Sequence, residues 1–206
     1  PRLPLQGRRG GRAAPPRAAT WCVYDDIYVA IRAVRRATQR VRRVLVVDLD
    51  AHQGNGVARD VARFQDEDTF LVDLYHEGIY PLDREAEEAV HARGPLRKGT
   101  GDEEYLARLE EALAEAARRF PSPDLVVYNA GTDVLEGDPL GGLGLSPGGV
   151  VRRDERVFRF AAEEAGGGAP VVMVLSGGYT PASADVIVES ITNLHCKLGL
   201  EELWGS

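Results

Sequence analysis

The sequence predicts an α/β protein built on a parallel sheet with helices on both faces. Short, continuous, β-branched apolar runs, VLVV at 44–47, LVVY at 125–128 and VVMVL at 171–175, suit strands buried on both sides. Stretches of helical periodicity separate them, so the order reads βαβαβαβα, which implies right-handed crossovers in one parallel sheet. Each of these runs ends abruptly in polar residues with glycine: DAHQGNG, NAGTD and SGGY.

Taken in order, apolar residues at Val23, Ile27, Ala30, Ile31 and Val34 predict a helix over 21–38 with arginines on its other side. A buried strand follows over 44–50, then a sharp turn at Gly54 and Gly56 and a short helix over 57–64. TFLVDLY predicts a second strand over 69–75. Residues 76–100 have weak periodicity and hold Pro81, Gly94, Pro95 and Gly99, so they are expected to be mostly loop. Leu106, Leu109 and Leu113 mark an amphipathic helix over 102–119, and DLVVY a third strand over 124–128. The glycine-rich stretch GDPLGGLGLSPGG leads into a helix over 149–165, with Pro147 well placed near its start. The fourth strand covers 171–175 and a last helix 182–197. There are no internal repeats, and the order begins with a helix that no strand precedes.

At 206 residues and 44% hydrophobic, the chain is long enough for one sizeable domain. Residues 1–20, PRLPLQGRRGGRAAPPRAAT, hold five arginines and no acid, and are expected to be disordered. The folded part is expected over 21–206. Taking the arm's +5 from the net −7 leaves about −12, which argues against a nucleic-acid-binding body. The arm itself could bind nucleic acid, but a spurious or alternative leader is the preferred reading. The only methionine is Met173, so residue 1 is expected not to be an initiator. Cys22 and Cys196 lie far apart and suit a reducing compartment, and no apolar run has the length of a membrane span. A soluble intracellular protein is the default expectation.

Strand side chains alternate faces, so Asp48, Asp50 and His52 project to one side at the carboxyl end of the first strand. Ligands bind at that end of open α/β sheets. If the strands are parallel neighbours, Asp133 and Tyr179 reach the same rim. Asp50, His52 and Asp133 then offer three donors suited to Zn²⁺, with a position left open. Asp48, nearer the middle of the strand, would support the ligands or help hold a separate monovalent cation. An Asp at a strand end is often only a cap or turn former, and D-x-D alone is weak; D-x-D-x-H straight after a buried strand is stronger. His76, His91 and His195 carry no spacing signal and are read as structural or exposed.

DLDAHQGNG, YNAGTDVLEGDPLGGLGLSP and LSGGY, in that order, closely resemble the histone deacetylase family, specifically its class IV branch, the histone deacetylase 11 type. The resemblance runs from about Trp21 to Leu198. It implies a three-layer α/β/α sheet of the arginase-deacetylase type, incomplete at the N-terminus, and hydrolysis of an acyl group from a lysine side chain. It implies Asp50, His52 and Asp133 as zinc ligands, and Tyr179 as the donor to the tetrahedral oxyanion. Asp48 matches a carboxylate that orients an active-site histidine and helps enclose a structural K⁺. Asn55 stands where some branches carry a second orienting Asp, and Asn there fits class IV. Leu140, Tyr80, Gly177 and Gly178 match positions lining the acyl-lysine tunnel. Partners so implied are acyl-lysine proteins such as histones and deacetylase-complex subunits, in the nucleus and/or cytoplasm.

In that family a pair of adjacent histidines upstream of the first helix transfers the protons. This sequence has four histidines, none adjacent, and the first is His52. The expectation is therefore a deacetylase-family fragment with the zinc half of a site and weak or no turnover. Two rivals remain: an interaction module without turnover, and a haloacid-dehalogenase-type phosphatase, which also places D-x-D after an apolar strand. The latter puts Thr or Val where His52 stands and lacks SGGY.

Overall fold

In a computed structural model of the chain, residues 25–199 are described. The arm over 1–20 and the start of the first helix at Trp21 lie outside the described residues. The helices are α1 (Asp26–Ala37), α2 (Asn55–Phe64), α3 (Arg84–Glu87), α4 (Asp102–Arg119), α5 (Pro147–Arg159) and α6 (Ala182–Leu198). The strands are β1 (Val44–Asp48), β2 (Thr69–His76), β3 (Ala92–Leu96), β4 (Leu125–Asn129) and β5 (Val171–Val174). All pairings are parallel, in the order β3-β2-β1-β4-β5.

The pleat sorts the core into two layers. Leu45 and Val47 of β1 join Leu109 and Leu113 of α4 and Val150 and Val157 of α5 on one face of the sheet. Val44 and Val46 join Tyr28 and Ile31 of α1, Val57 and Val61 of α2 and Ala86 of α3 on the other. This is the three-layer α/β/α architecture.

The order of the strands decides where a site can form. From β1 the chain moves outward through β2 and β3, then crosses back to place β4 on the opposite side of β1. A crevice opens outside the carboxyl ends at such a reversal, so it lies between the ends of β1 and β4. Register sets Asp48 opposite Asp73 on one side and Asn129 on the other.

One expectation is corrected. Residues 76–100 are mostly loop, as expected, but α3 and β3 also lie within them, so the sheet has five strands among the described residues rather than four. The sequence of β3, ARGPL, carries both residues that usually rule out a strand. Its position at the sheet edge removes the objection, since Pro95 is exposed and only β2 pairs with β3 among the described residues. Gly94 packs so closely on β2 that a Cβ would stand 2.6 Å from Leu74 Cγ.

Smaller differences concern element ends. β1 stops at Asp48 rather than 50 because, after the Leu49 N–H donates to Asn129 O (3.0 Å), the next amides turn to carboxylates. The helix expected over 149–165 begins at Pro147, capped by Ser146, whose Oγ accepts from the Gly149 N–H (3.0 Å). It ends as a π-helical turn, Phe160–Glu164.

The two edges differ in chemistry. β3 shows Arg93 and Pro95 to solvent, the usual protection of an edge strand. β5 is apolar throughout and only half-buried among the described residues, with Val172 49% exposed. No helix among the described residues is long and apolar enough to cross a membrane.

Candidate metal centre

Three loops meet at the reversal point, one from the end of each of β1, β4 and β5. His52 Nδ1 lies 2.9 Å from Asp133 Oδ2 and 3.2 Å from Asp50 Oδ1. One donor atom from each of Asp50, His52 and Asp133 falls within 4.8 Å of the others, so the three can share one ion. Residues 81 positions apart in the chain therefore face one point, as the parallel arrangement requires.

Both candidate carboxylate ligands are held through one of their oxygens. Asp133 Oδ1 accepts from the Ala51 N–H at 2.8 Å, joining the β4 loop to the β1 loop. Asp50 Oδ2 accepts from Ser176 Oγ and the Gly177 N–H, both at 2.8 Å, which adds the β5 loop. Two glycines are required by this close approach. A Cβ on Gly177 would lie 2.3 Å from Asp133 Oδ2, and one on Gly131 would lie 2.4 Å from Asp50 Oδ2.

The electrostatics are those of a cation site. Hydrogen bonds to Asp133 and then Asp50 push the His52 imidazole up to about 10, because positive charge is favoured between two carboxylates. Burial works against the charge on Asp50, but the bonds from His52, Ser176 and Gly177 outweigh it and hold the carboxyl at about 2. Asp133, fully buried, is raised, chiefly by burial. Two oxygens and one nitrogen of this kind fit zinc, and three protein ligands leave coordination positions free.

Asp48 lies behind the cluster, where its Oδ1 accepts from the Asp50 N–H (3.2 Å) and Asn129 Nδ2 (2.9 Å). Burial raises its carboxyl well above the usual range, and the charges of Asp73 and Asp50 raise it further. Asp73, across the β1–β2 pairing, is pushed up to about 8, chiefly by burial.

The tunnel candidates lie on the same rim. Asp138 accepts from the N–H groups of Leu140 (2.9 Å) and Gly141 (3.1 Å) through one oxygen and from that of Tyr179 (2.8 Å) through the other. It thereby sets the spacing of the two loops. The Tyr179 side chain is 45% exposed, and Gly177 and Gly178 lead into it. Tyr80 belongs to the loop after β2, which Asp83 fastens to the turn after β1. Asp83 O accepts from Gln53 Nε2 (3.1 Å), and Asp83 Oδ2 accepts from Asn55 Nδ2 (3.1 Å) and Arg59 Nε (2.6 Å). Asn55 thus serves as a loop clasp in this structure. His76 is structural, with Nδ1 2.8 Å from Gly141 O.

Sequence reasoning missed Asp73, Asp83, Asp138 and Ser176. Only Asp73 offered a signal, a lone carboxylate inside an apolar strand run.

Comparison with known proteins gives a consistent result. The family model described as histone deacetylase domain matches residues 9–195. The chain is 46% identical over 179 residues to histone deacetylase 2 of Arabidopsis thaliana, covering 86% of this chain and 44% of that protein. The solved HD domain of HDA15 superposes with TM-score 0.68 and 27% identity, covering 86% of this chain and 50% of that one. An acetylpolyamine aminohydrolase from Burkholderia pseudomallei gives 0.66 and 25%, with 81% and 48% covered. The chain spans about half the length of the curated relatives it matches.

Proposed function

The chain belongs to the histone deacetylase family, and from that premise we propose that its crevice is the zinc half of a site that hydrolyses the amide of acyl-lysine. The observation that carries this reading is the convergence of Asp50, His52 and Asp133 within 4.8 Å at the strand reversal. Zinc bound there supplies Lewis acidity for an amide carbonyl and for water. Asp50 and Asp133 balance its charge, and His52 offers Nδ1 as the nitrogen donor. The Tyr179 phenol donates to the oxygen that becomes negative during attack, where losing one donor typically costs about a hundredfold or more. Leu140, Tyr80, Gly177 and Gly178 line the approach of the acylated side chain.

The remaining steps need a base for the water and an acid for the departing amine. The four histidines of this sequence include no adjacent pair, and the 206-residue chain alone is proposed to bind zinc while turning over slowly. Lack of such groups commonly costs about 10²–10⁴ in rate. Expected results are one zinc per chain by titration against a chelator, and hydrolysis of an acetyl-lysine peptide at least a hundredfold below a relative of full length. Ordinary turnover by this chain would overturn the slow-enzyme reading, and failure to bind zinc would overturn the site itself.

A second cation, K⁺, is proposed beside Asp48. A cavity of about 10 Å³, room for one water-sized sphere, is lined by Asp48, Gly54 and Asp73 on one part and by the apolar Val46, Val57, Leu71, Val72 and Val90 on the rest, and buried Asp73 Oδ1 has no hydrogen-bond partner among the described residues. K⁺ is expected to raise the melting temperature above its value in tetramethylammonium; equal values would dismiss the site. The class IV assignment rests on Asn55 and GDPLGGLGLSP, and a phylogeny grouping the chain with another class would overturn it. Histone-like acyl-lysine proteins, in nucleus or cytoplasm, are the proposed substrates; acylated polyamines hydrolysed faster than peptides would count against them.

A further inference from the structure

We propose that Arg153 of α5 is a positioning residue for the metal ligands, stapling the end of β1 to the end of β4. This rests on the zinc reading above. Arg153 has no exposed surface. One of its nitrogens, Nη1, donates to both Leu49 O (3.1 Å) and Gly131 O (2.7 Å). Leu49 immediately precedes Asp50, and Gly131 stands two residues before Asp133. A single guanidinium NH₂ therefore bridges the two chain segments whose carboxylates must share an ion. The Tyr105 hydroxyl, from α4, also reaches Leu49 O (3.4 Å).

The arrangement suits arginine in particular. The rigid planar fork directs Nη1 at the two carbonyls while Nε donates to Asp154 (2.8 Å), which balances the charge. Asp154 is fixed in turn by Tyr128 of β4 and by Ser190 of α6, whose Oγ donates at 2.5 Å. The staple is thus anchored in the sheet and in two helices behind it. Ligand atoms that must stay within a few ångströms of each other on separate loops gain from such a tie, because affinity depends on geometry held before the ion arrives. Arg153 contacts no reacting atom, so its effect is on the alignment of Asp50 and Asp133.

The test compares the full chain with Arg153→Gln, Arg153→Lys and Ser190→Ala, all at a temperature where circular dichroism shows each to be folded. Zinc affinity is read by chelator competition, and geometry by the visible absorption of bound Co²⁺. Arg153→Gln is expected to weaken zinc binding about 10–100-fold, as other changes just outside a ligand set do, and to alter the Co²⁺ spectrum. Arg153→Lys keeps the charge but lacks the fork, and is expected to recover part of the affinity. Ser190→Ala removes one of the partners of Asp154 but leaves Tyr128 and both Arg153–carbonyl bonds in place, and is expected to lower stability while weakening zinc far less than Arg153→Gln and leaving the Co²⁺ spectrum close to that of the parent. Parent-like affinity and spectrum in a folded Arg153 variant would overturn the proposal, with Arg153→Lys deciding should Arg153→Gln not fold. If Ser190→Ala weakened zinc as much as Arg153→Gln, the staple would be no more than general support, and the proposal would fall. If the parent chain bound neither metal, the zinc reading itself would have failed, a result distinguishable from all of these.

Discussion

Asp133→Asn is expected to weaken zinc binding by well over a hundredfold while leaving the chain folded. In the proposed site the carboxylate would supply one donor atom and half the negative charge opposing the ion, so its loss should exceed the 10–100-fold typical of groups outside the ligand set. The amide oxygen can still accept from the Ala51 N–H, which the native Oδ1 binds at 2.8 Å, so the loop contact survives. Asp133→Ala leaves that buried N–H without a partner, at a further cost of about 1–3 kcal/mol. Thermal unfolding separates the two effects. Zinc at a hundred times its dissociation constant should stabilise the parent by about 2.7 kcal/mol. At about 2–4 °C per kcal/mol for a chain of this size, the melting temperature rises by roughly 5–11 °C. Neither variant should show that rise. A parent-sized shift in Asp133→Asn would mean that the ion, if bound, sits elsewhere.

Asp154→Ala is expected to be the most destabilising single change, costing about 3–5 kcal/mol, the usual cost of removing one partner from a buried ion pair. Arg153 has no exposed surface and Asp154 is 2% exposed, so water cannot replace the lost carboxylate. Three donors would lose their acceptor together: Arg153 Nε, the Tyr128 hydroxyl and Ser190 Oγ. Domains of this kind have about 5–15 kcal/mol in total, so the loss takes a large share. Urea unfolding should show a lower midpoint with an unchanged slope. A loss below about 1 kcal/mol would show that the network relaxes around the substitution.

The two predictions differ in how readily the sequence exposed them. Asp50, His52 and Asp133 were legible because a buried strand has a fixed period and a known functional end, and two such strands each carried ligand-type residues just beyond it. The Arg153–Asp154 pair was not legible. An adjacent Arg and Asp in an amphipathic helix reads as a solvated face, and only the packing of α5 and α6 against β4 places both inside. Asp138 and Ser176 were hidden for a related reason, since Asp and Ser in a glycine-rich loop are common turn formers and the partners that tie them to the site, Tyr179 and Asp50, lie on other loops. β3 was missed because ARGPL violates strand preferences that apply to interior strands and not to an edge.

The sequence by itself determined the layered α/β architecture and, among the described residues, every helix but the short α3 and four of the five strands, because hydrophobic periodicity is a local property written residue by residue. It also determined which residue types arrive at the carboxyl ends, and with them the family. The tertiary structure decided what depends on contacts distant in the chain. These are the order β3-β2-β1-β4-β5 that opens the crevice between β1 and β4, the fifth strand at its edge, and the buried arginine beneath the ligands. Such choices rest on which surfaces exclude water together, and no local pattern encodes the partner of a side chain 81 or 104 residues away.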